Sequence, residues 1–288
     1  MTKHRRIHLF LLLLIAVFGQ TLYAQRAVSQ RAVSQTEELQ QKYRSAVQDA
    51  AFVEQGENIG EDGNPILIQV TLDNPLLKGS WNPDQTRLLV VSWKSKRGSD
   101  LLQASNKSPE EKTERLIWVT VAPQIKDFCQ QFLKNNPNAT KEELELRLKQ
   151  YLGLAPDWQY DVFVEMWVSP KDLIRPCVNP QIDSQQCELA FDDKYTPKEL
   201  PGITPGAAIK DYRSFYRKLY FDSIRPSRFD PNNPNASVRQ PFTGLGYTYD
   251  WGNPDHHRGA SEFILIPGAA YTVNQKPVPT QEYCKPNP

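Results

Sequence analysis

Histidine is scarce in this 288-residue sequence, with only His4, His8, His256 and His257. There is no HExxH, no glycine-rich phosphate loop, no GxGxxG after a strand pattern and no CxxC pair. These gaps exclude the usual signatures of zinc peptidases, nucleotide-binding domains and zinc fingers. A surplus of either charge is also missing: 34 Lys and Arg face 33 Asp and Glu. A chain so balanced has no electrostatic footprint for nucleic acid. No metal, no cofactor and no nucleic-acid partner is therefore expected. After residue 18 no apolar run is long enough to span a bilayer, so no transmembrane segment is expected in the mature chain.

What is present begins with an address. Lys3, Arg5 and Arg6 precede an apolar run from Ile7 to Phe18, and Ala24 offers an exit before Gln25. That order reads as a secretory signal peptide over residues 1–24. No cysteine lies near the cleavage point to take a lipid. The expected location is the periplasm or the exterior after cleavage near Ala24. Cleavage removes three Lys/Arg and no Asp/Glu, so 31 basic residues then face 33 acidic ones and the formal charge becomes −2. Two of the four histidines leave as well, so that His256 and His257 remain side by side.

Four cysteines, Cys129, Cys177, Cys187 and Cys284, form an even set in an exported chain, which points to two disulfides. Cys177 and Cys187 flank a short polar loop that is entropically easy to close. By elimination Cys129 pairs with Cys284, a bridge worth about 4–5 kcal/mol in the loop-entropy model.

Residues 25–64 read as a flexible start, carrying RAVSQ twice, followed by a helix opened by Thr36. Residues 65–270 read as one α+β domain: a mixed, mostly antiparallel sheet with helices packed on it and long Pro-rich loops. Strands are predicted at 65–72, 87–93, 116–121 and 160–168 from alternation or continuous apolarity. Between the third and fourth, Pro123 starts one helix and Thr140, with Glu143 three residues on, caps a second that Gly153 ends. Such a crossover permits parallel pairing. Residues 95–114 lack a pattern, apart from a short helix around 100–104. Ile209 to Asp222 is predicted helical with a core stripe of Ile209, Tyr212, Tyr216 and Leu219. Residues 245–251 and 261–266 read as a hairpin with a long loop. The tail, 271–288, reads as extended and anchored by Cys284.

Reactive side chains concentrate in the hairpin loop: Asp250, Asp255, His256, His257 and Glu262. Imidazole and carboxylate together suit general acid–base work, so Asp250, His256, His257 and Glu262 are the catalytic candidates. Adjacent histidines on extended chain point apart, and a solvated turn is the readier account of them. Ser261 follows the histidines, but Gly259-Ala260-Ser261 is not a nucleophile elbow. Glu165 lies in an apolar strand and is either a buried acid or an ordinary outward carboxylate. Trp81, Trp158, Tyr249 and Trp251 are the binding candidates, since aromatics beside loops can line a glycan cleft.

Leu245-Gly-Tyr-Thr-Tyr-Asp-Trp-Gly252, Gly259-Ala-Ser-Glu-Phe263, Val164-Glu-Met-Trp-Val-Ser-Pro170 and Leu173-Ile-Arg-Pro176 resemble a family of exported cyanobacterial proteins of unassigned function, over residues 60–270. The resemblance implies a Gram-negative periplasm or exterior and no activity. The expectation is a non-enzymatic envelope or extracellular module that binds a protein, peptide or glycan. The alternative is a hydrolase acting on an envelope polymer through the Asp250–Glu262 cluster.

Overall fold

Alternation along the central strands sorts side chains onto two faces, and each face is covered by helices. The computed structural model describes residues 33–60, 63–108, 116–192, 194, 196–197, 209, 211–224 and 240–286. The signal-peptide reading, most of the RAVSQ repeat and residues 109–115 lie outside them. The chain divides into two units after Lys42. Helix α1 covers residues 33–49. The second unit, from Tyr43 on, holds the sheet and the helices that cover it.

The main sheet is antiparallel throughout. It contains β1 (Leu88–Lys94), β2 (Ile117–Val121), β3 (Val162–Val168), β4 (Leu173–Ile174), β7 (Phe263–Leu265) and β8 (Tyr271–Val273) in the order β4-β7-β2-β1-β3-β8, with β9 (Val278–Pro279) also on β3. A separate ribbon pairs β5 (Tyr247–Tyr249) with β6 (Arg258–Ser261). The two stretches that are apolar on both faces, β1 and β2, are indeed interior strands.

The expected parallel pairing does not form. Helices α3 (Ala122–Asn135) and α4 (Lys141–Tyr151) connect β2 to β3. Both strands run antiparallel to β1, with Val90 opposite Val121 on one side and Met166 on the other. β2 and β3 therefore point the same way, as the crossover suggests, but β1 is inserted between them.

One face carries Val90, Val119, Val121 and Met166 under α2 (Lys96–Ala104) and α5 (Tyr212–Ile224), with Leu102, Tyr212, Tyr216 and Leu219 in the shared core. Three residues of the predicted stripe, Tyr212, Tyr216 and Leu219, are thus the buried side of α5, while Ile209 is buried ahead of the helix, which starts three residues later than expected. The other face carries Val91, Trp93 and Phe163 under α3, α4 and the short α6 (Thr280–Tyr283). On that side Trp158, Tyr160, Trp93, Phe163 and Tyr283 form a continuous ladder of rings, each 4.3–6.4 Å from the next.

Three expectations change. Residues 65–72 are no strand of the sheet. Ile68 N–H donates to Ser261 Oγ at 2.8 Å and Val70 N–H to Ile182 O at 3.0 Å, while Arg175 Nη2 donates to the Ile68 carbonyl at 2.8 Å. A side chain and an irregular loop take the groups that a neighbouring strand would pair. The predicted strand 261–266 splits at Glu262: its first residue ends β6 in the ribbon, and its remainder forms β7 in the main sheet. The tail is more than an extended strap, because β8 and β9 pair with β3 and α6 packs beneath α4.

Both expected disulfides are present, Cys177–Cys187 and Cys129–Cys284, with Cα separations of 6.0 and 5.2 Å. No helix among the described residues is long and apolar enough to cross a membrane.

Candidate functional site

The capping box of α4 sets the position of everything beside it. Thr140 Oγ1 accepts from Glu143 N–H, and the Glu143 carboxylate accepts from Thr140 N–H. The helix then turns Leu144 and Leu148 into the core. Arg147 and Tyr151, one turn apart on its flank, face α3. Gly153 ends the helix region at φ +64°, and a Cβ there would lie 3.2 Å from the Tyr249 carbonyl oxygen. In α3, Ile125 and Cys129 are buried. Gln124, Phe128, Gln131 and Asn135 follow one another at helical spacing along the flank towards α4.

These flanks enclose an open groove of about 580 Å³ lined by Gln124, Asp127, Phe128, Gln131, Phe132, Asn135, Asn136, Arg147 and Tyr151. Its floor is a stack. The Phe128 and Tyr151 rings lie 3.6 Å apart at 6°, and the Arg147 guanidinium sits 4.8 Å from the Phe128 centroid. Arg147 is fixed from behind, donating through both Nη atoms to Asp250 at 2.8 and 2.7 Å. Bidentate pairing of this kind fixes the orientation of the plane as well as its position. Burial raises the Tyr151 phenol above its ordinary range, reinforced by the nearby Asp250, so it remains a neutral hydroxyl.

Amides form the rim. Gln131 Nε2 donates to Asn135 Oδ1 at 2.9 Å, and Asn136 Nδ2 donates to the Phe132 carbonyl at 2.9 Å. Gln124 Oε1 accepts from Ser261 N–H at 3.0 Å, joining the groove to the ribbon. A second hollow of about 360 Å³ shares Asp127 and Gln131 and adds Gln130, Lys134 and Pro286. Gln130 Nε2 donates to the Lys285 carbonyl at 2.9 Å, which holds that part of the tail against α3.

The four catalytic candidates are not brought into one pocket. Asp250, 1% exposed, is committed to Arg147 and to Gly252 N–H. His256 lies on the exposed turn, where its Nδ1 accepts from Arg258 N–H at 3.2 Å. His257 is also exposed, stacks on Tyr249 at 4.5 Å and lies 3.9 Å from Asp49. Glu262 is buried beside Arg175. Its burial pushes the carboxyl up to about 8 against the opposing pull of that guanidinium.

The binding candidates divide differently. Trp251 is buried, donates to the Leu154 carbonyl and packs edge-on against Tyr43. Tyr249 is buried and donates its hydroxyl to Asp49 at 2.6 Å. Trp81 packs against the α2–α5 side of the sheet and bridges to Leu88. Trp158 is the exposed end of the aromatic ladder, outside the groove. Two further residues have ordinary roles: Ser261 Oγ accepts from Ile68, and Glu165 Oε2 accepts from Asn274 Nδ2 and Gln275 Nε2.

Arg175 and the groove residues were not singled out by the sequence. Arg175 is fully buried and spreads its donors over the carbonyls of Ile68, Ile182, Gly246 and Gln181, with Phe263 beneath it at 4.6 Å. For the groove there was one signal. Phe128 and Phe132 widen the apolar stripe of α3 beyond what Ile125 and Cys129 need.

Compared with known proteins, the chain finds no match: no family model, no curated protein and no solved structure is similar to it.

Proposed function

We propose that this protein is an exported, non-enzymatic binding module whose recognition surface is the groove between α3 and α4. The observation that carries the reading is the Tyr151–Phe128–Arg147 stack, held by Asp250 and bordered by amide side chains. A surface whose parts are already locked loses little entropy on binding, which is what recognition needs. Export is supported by the leader over residues 1–24 and by two disulfides suited to an oxidising compartment. The partner is a component of the envelope or the exterior. The hydrolase alternative has less behind it, because Asp250, His256, His257 and Glu262 each serve a different neighbour.

The test is an amide chemical-shift titration of the whole mature chain. The probes are soluble envelope-polysaccharide fragments and a set of extended peptides. Saturable shifts along α3 and α4 with no turnover of the probe are expected. Cleavage of a probe that is lost in the His256→Ala/His257→Ala variant would overturn the binding reading in favour of the hydrolase.

A further inference from the structure

Resting on that reading, we infer that the groove takes a neutral oligosaccharide, threaded across α3 through two contiguous hollows. Charge is the first argument. The groove contains one cation and one anion, Arg147 and Asp127. Arg147 is already matched by Asp250. In the second hollow Asp127 faces a single Lys134. A phosphorylated or polycarboxylate ligand finds no unmatched cluster of cations, and a polycation finds only one carboxylate.

The rim is rich in neutral amides. Gln130, Gln131, Asn135 and Asn136 each carry a donor and an acceptor on one planar group, whereas Gln124 is spent on Ser261 N–H and the Tyr151 hydroxyl. Sugar hydroxyls also donate and accept, so an amide row matches them without any charge. Among the described contacts, the pair formed by Gln131 and Asn135 uses one group of each. That leaves the Oε1 of Gln131 and the Nδ2 of Asn135 for a ligand. Phe128 is itself covered by Tyr151 and Arg147, so Phe132 is the ring on the groove that supplies an apolar face of the kind on which the C–H face of a pyranose packs.

A peptide that binds by strand addition needs an open sheet edge for main-chain pairing. This groove lies between two helices whose backbone groups are spent internally, so recognition has to come from side chains. The two hollows adjoin across Asp127 and Gln131, which line both, and a run of adjoining hollows suits a chain of several units rather than a single ring.

The experiment titrates the mature chain with chitotetraose, cellotetraose and maltotetraose as neutral probes. Trigalacturonate and a proline-rich peptide serve as comparators, all followed by amide shifts. At least one neutral sugar is expected to shift residues of α3 on both sides of Gln131. Gln131→Ala is expected to weaken that sugar about threefold to tenfold, the loss of one or two neutral hydrogen bonds. An unchanged melting temperature of the Gln131→Ala variant itself checks that the fold persists. If the comparators occupy the groove and the neutral sugars do not, the sugar inference falls while the binding reading stands. If no probe moves α3, both fall.

Discussion

Arg147 on α4 and Asp250 just after β5 meet across 103 residues of chain in a two-pronged ion pair, with the carboxylate much the more deeply buried of the two. The asymmetry predicts unequal losses. Arg147→Ala leaves an enclosed carboxylate without its cation, at the upper end of the roughly 3–5 kcal/mol seen when a buried pair is broken. Asp250→Ala leaves a cation that can turn towards water, and it costs less. Urea unfolding of both variants and of the double variant measures the difference. Equal losses would refute the unequal cost of exposing the two charges.

Glu262 gives the protein a predictable acid–base signature. Its carboxyl moves from an ordinary 4.5 to about 8 in the folded chain, through burial opposed by Arg175. Between these values the folded protein keeps a proton that the unfolded chain has released. Stability contributed at this site is therefore full below about pH 4.5, declines through the window and is gone above about pH 8. Glu262→Gln is neutral at every pH. Its melting temperature should match the wild type near about pH 5 and exceed it by several degrees near about pH 8.5. A constant gap between the two proteins at all pH values would refute this assignment.

The two disulfides should differ in weight. Cys129–Cys284 closes a separation of 155 residues and Cys177–Cys187 one of 10. Loop entropy assigns about 5 kcal/mol to the long closure and about 3 kcal/mol to the short one. Thermal melts of C129S/C284S and C177S/C187S should show the larger loss for the first. The reverse order would mean that the Arg175 shell, which the short bridge adjoins, outweighs chain entropy.

Local signals were readable in the sequence and distant ones were not. The start of α4 was legible because Thr140 and Glu143 satisfy each other within one turn. The core face of α5 was legible because Tyr212, Tyr216 and Leu219 recur at helical spacing. Sheet order was not, because β1 pairs Leu88 with Val168, eighty positions away, and nothing nearby in sequence specifies that neighbour. The break at Glu262 was hidden within an otherwise apolar run. Asp250 looked catalytic because the sequence placed it near two histidines, whereas the fold turns it towards Arg147. The groove escaped notice because Phe128 and Phe132 share the spacing of core residues and differ from them only in sitting at the margin of the buried stripe.

The strand order also governs when the protein can become itself. A growing chain that has reached Asp250 already possesses β1, β2, β3 and β4. Yet β4 joins the sheet only through β7, and β3 lacks its neighbours β8 and β9. Cys129 meanwhile waits for Cys284. The sheet is completed on both sides by segments that follow Glu262, β7 against β2 and β8 against β3. Until those strands arrive the sheet has two open edges that no earlier stretch of chain closes.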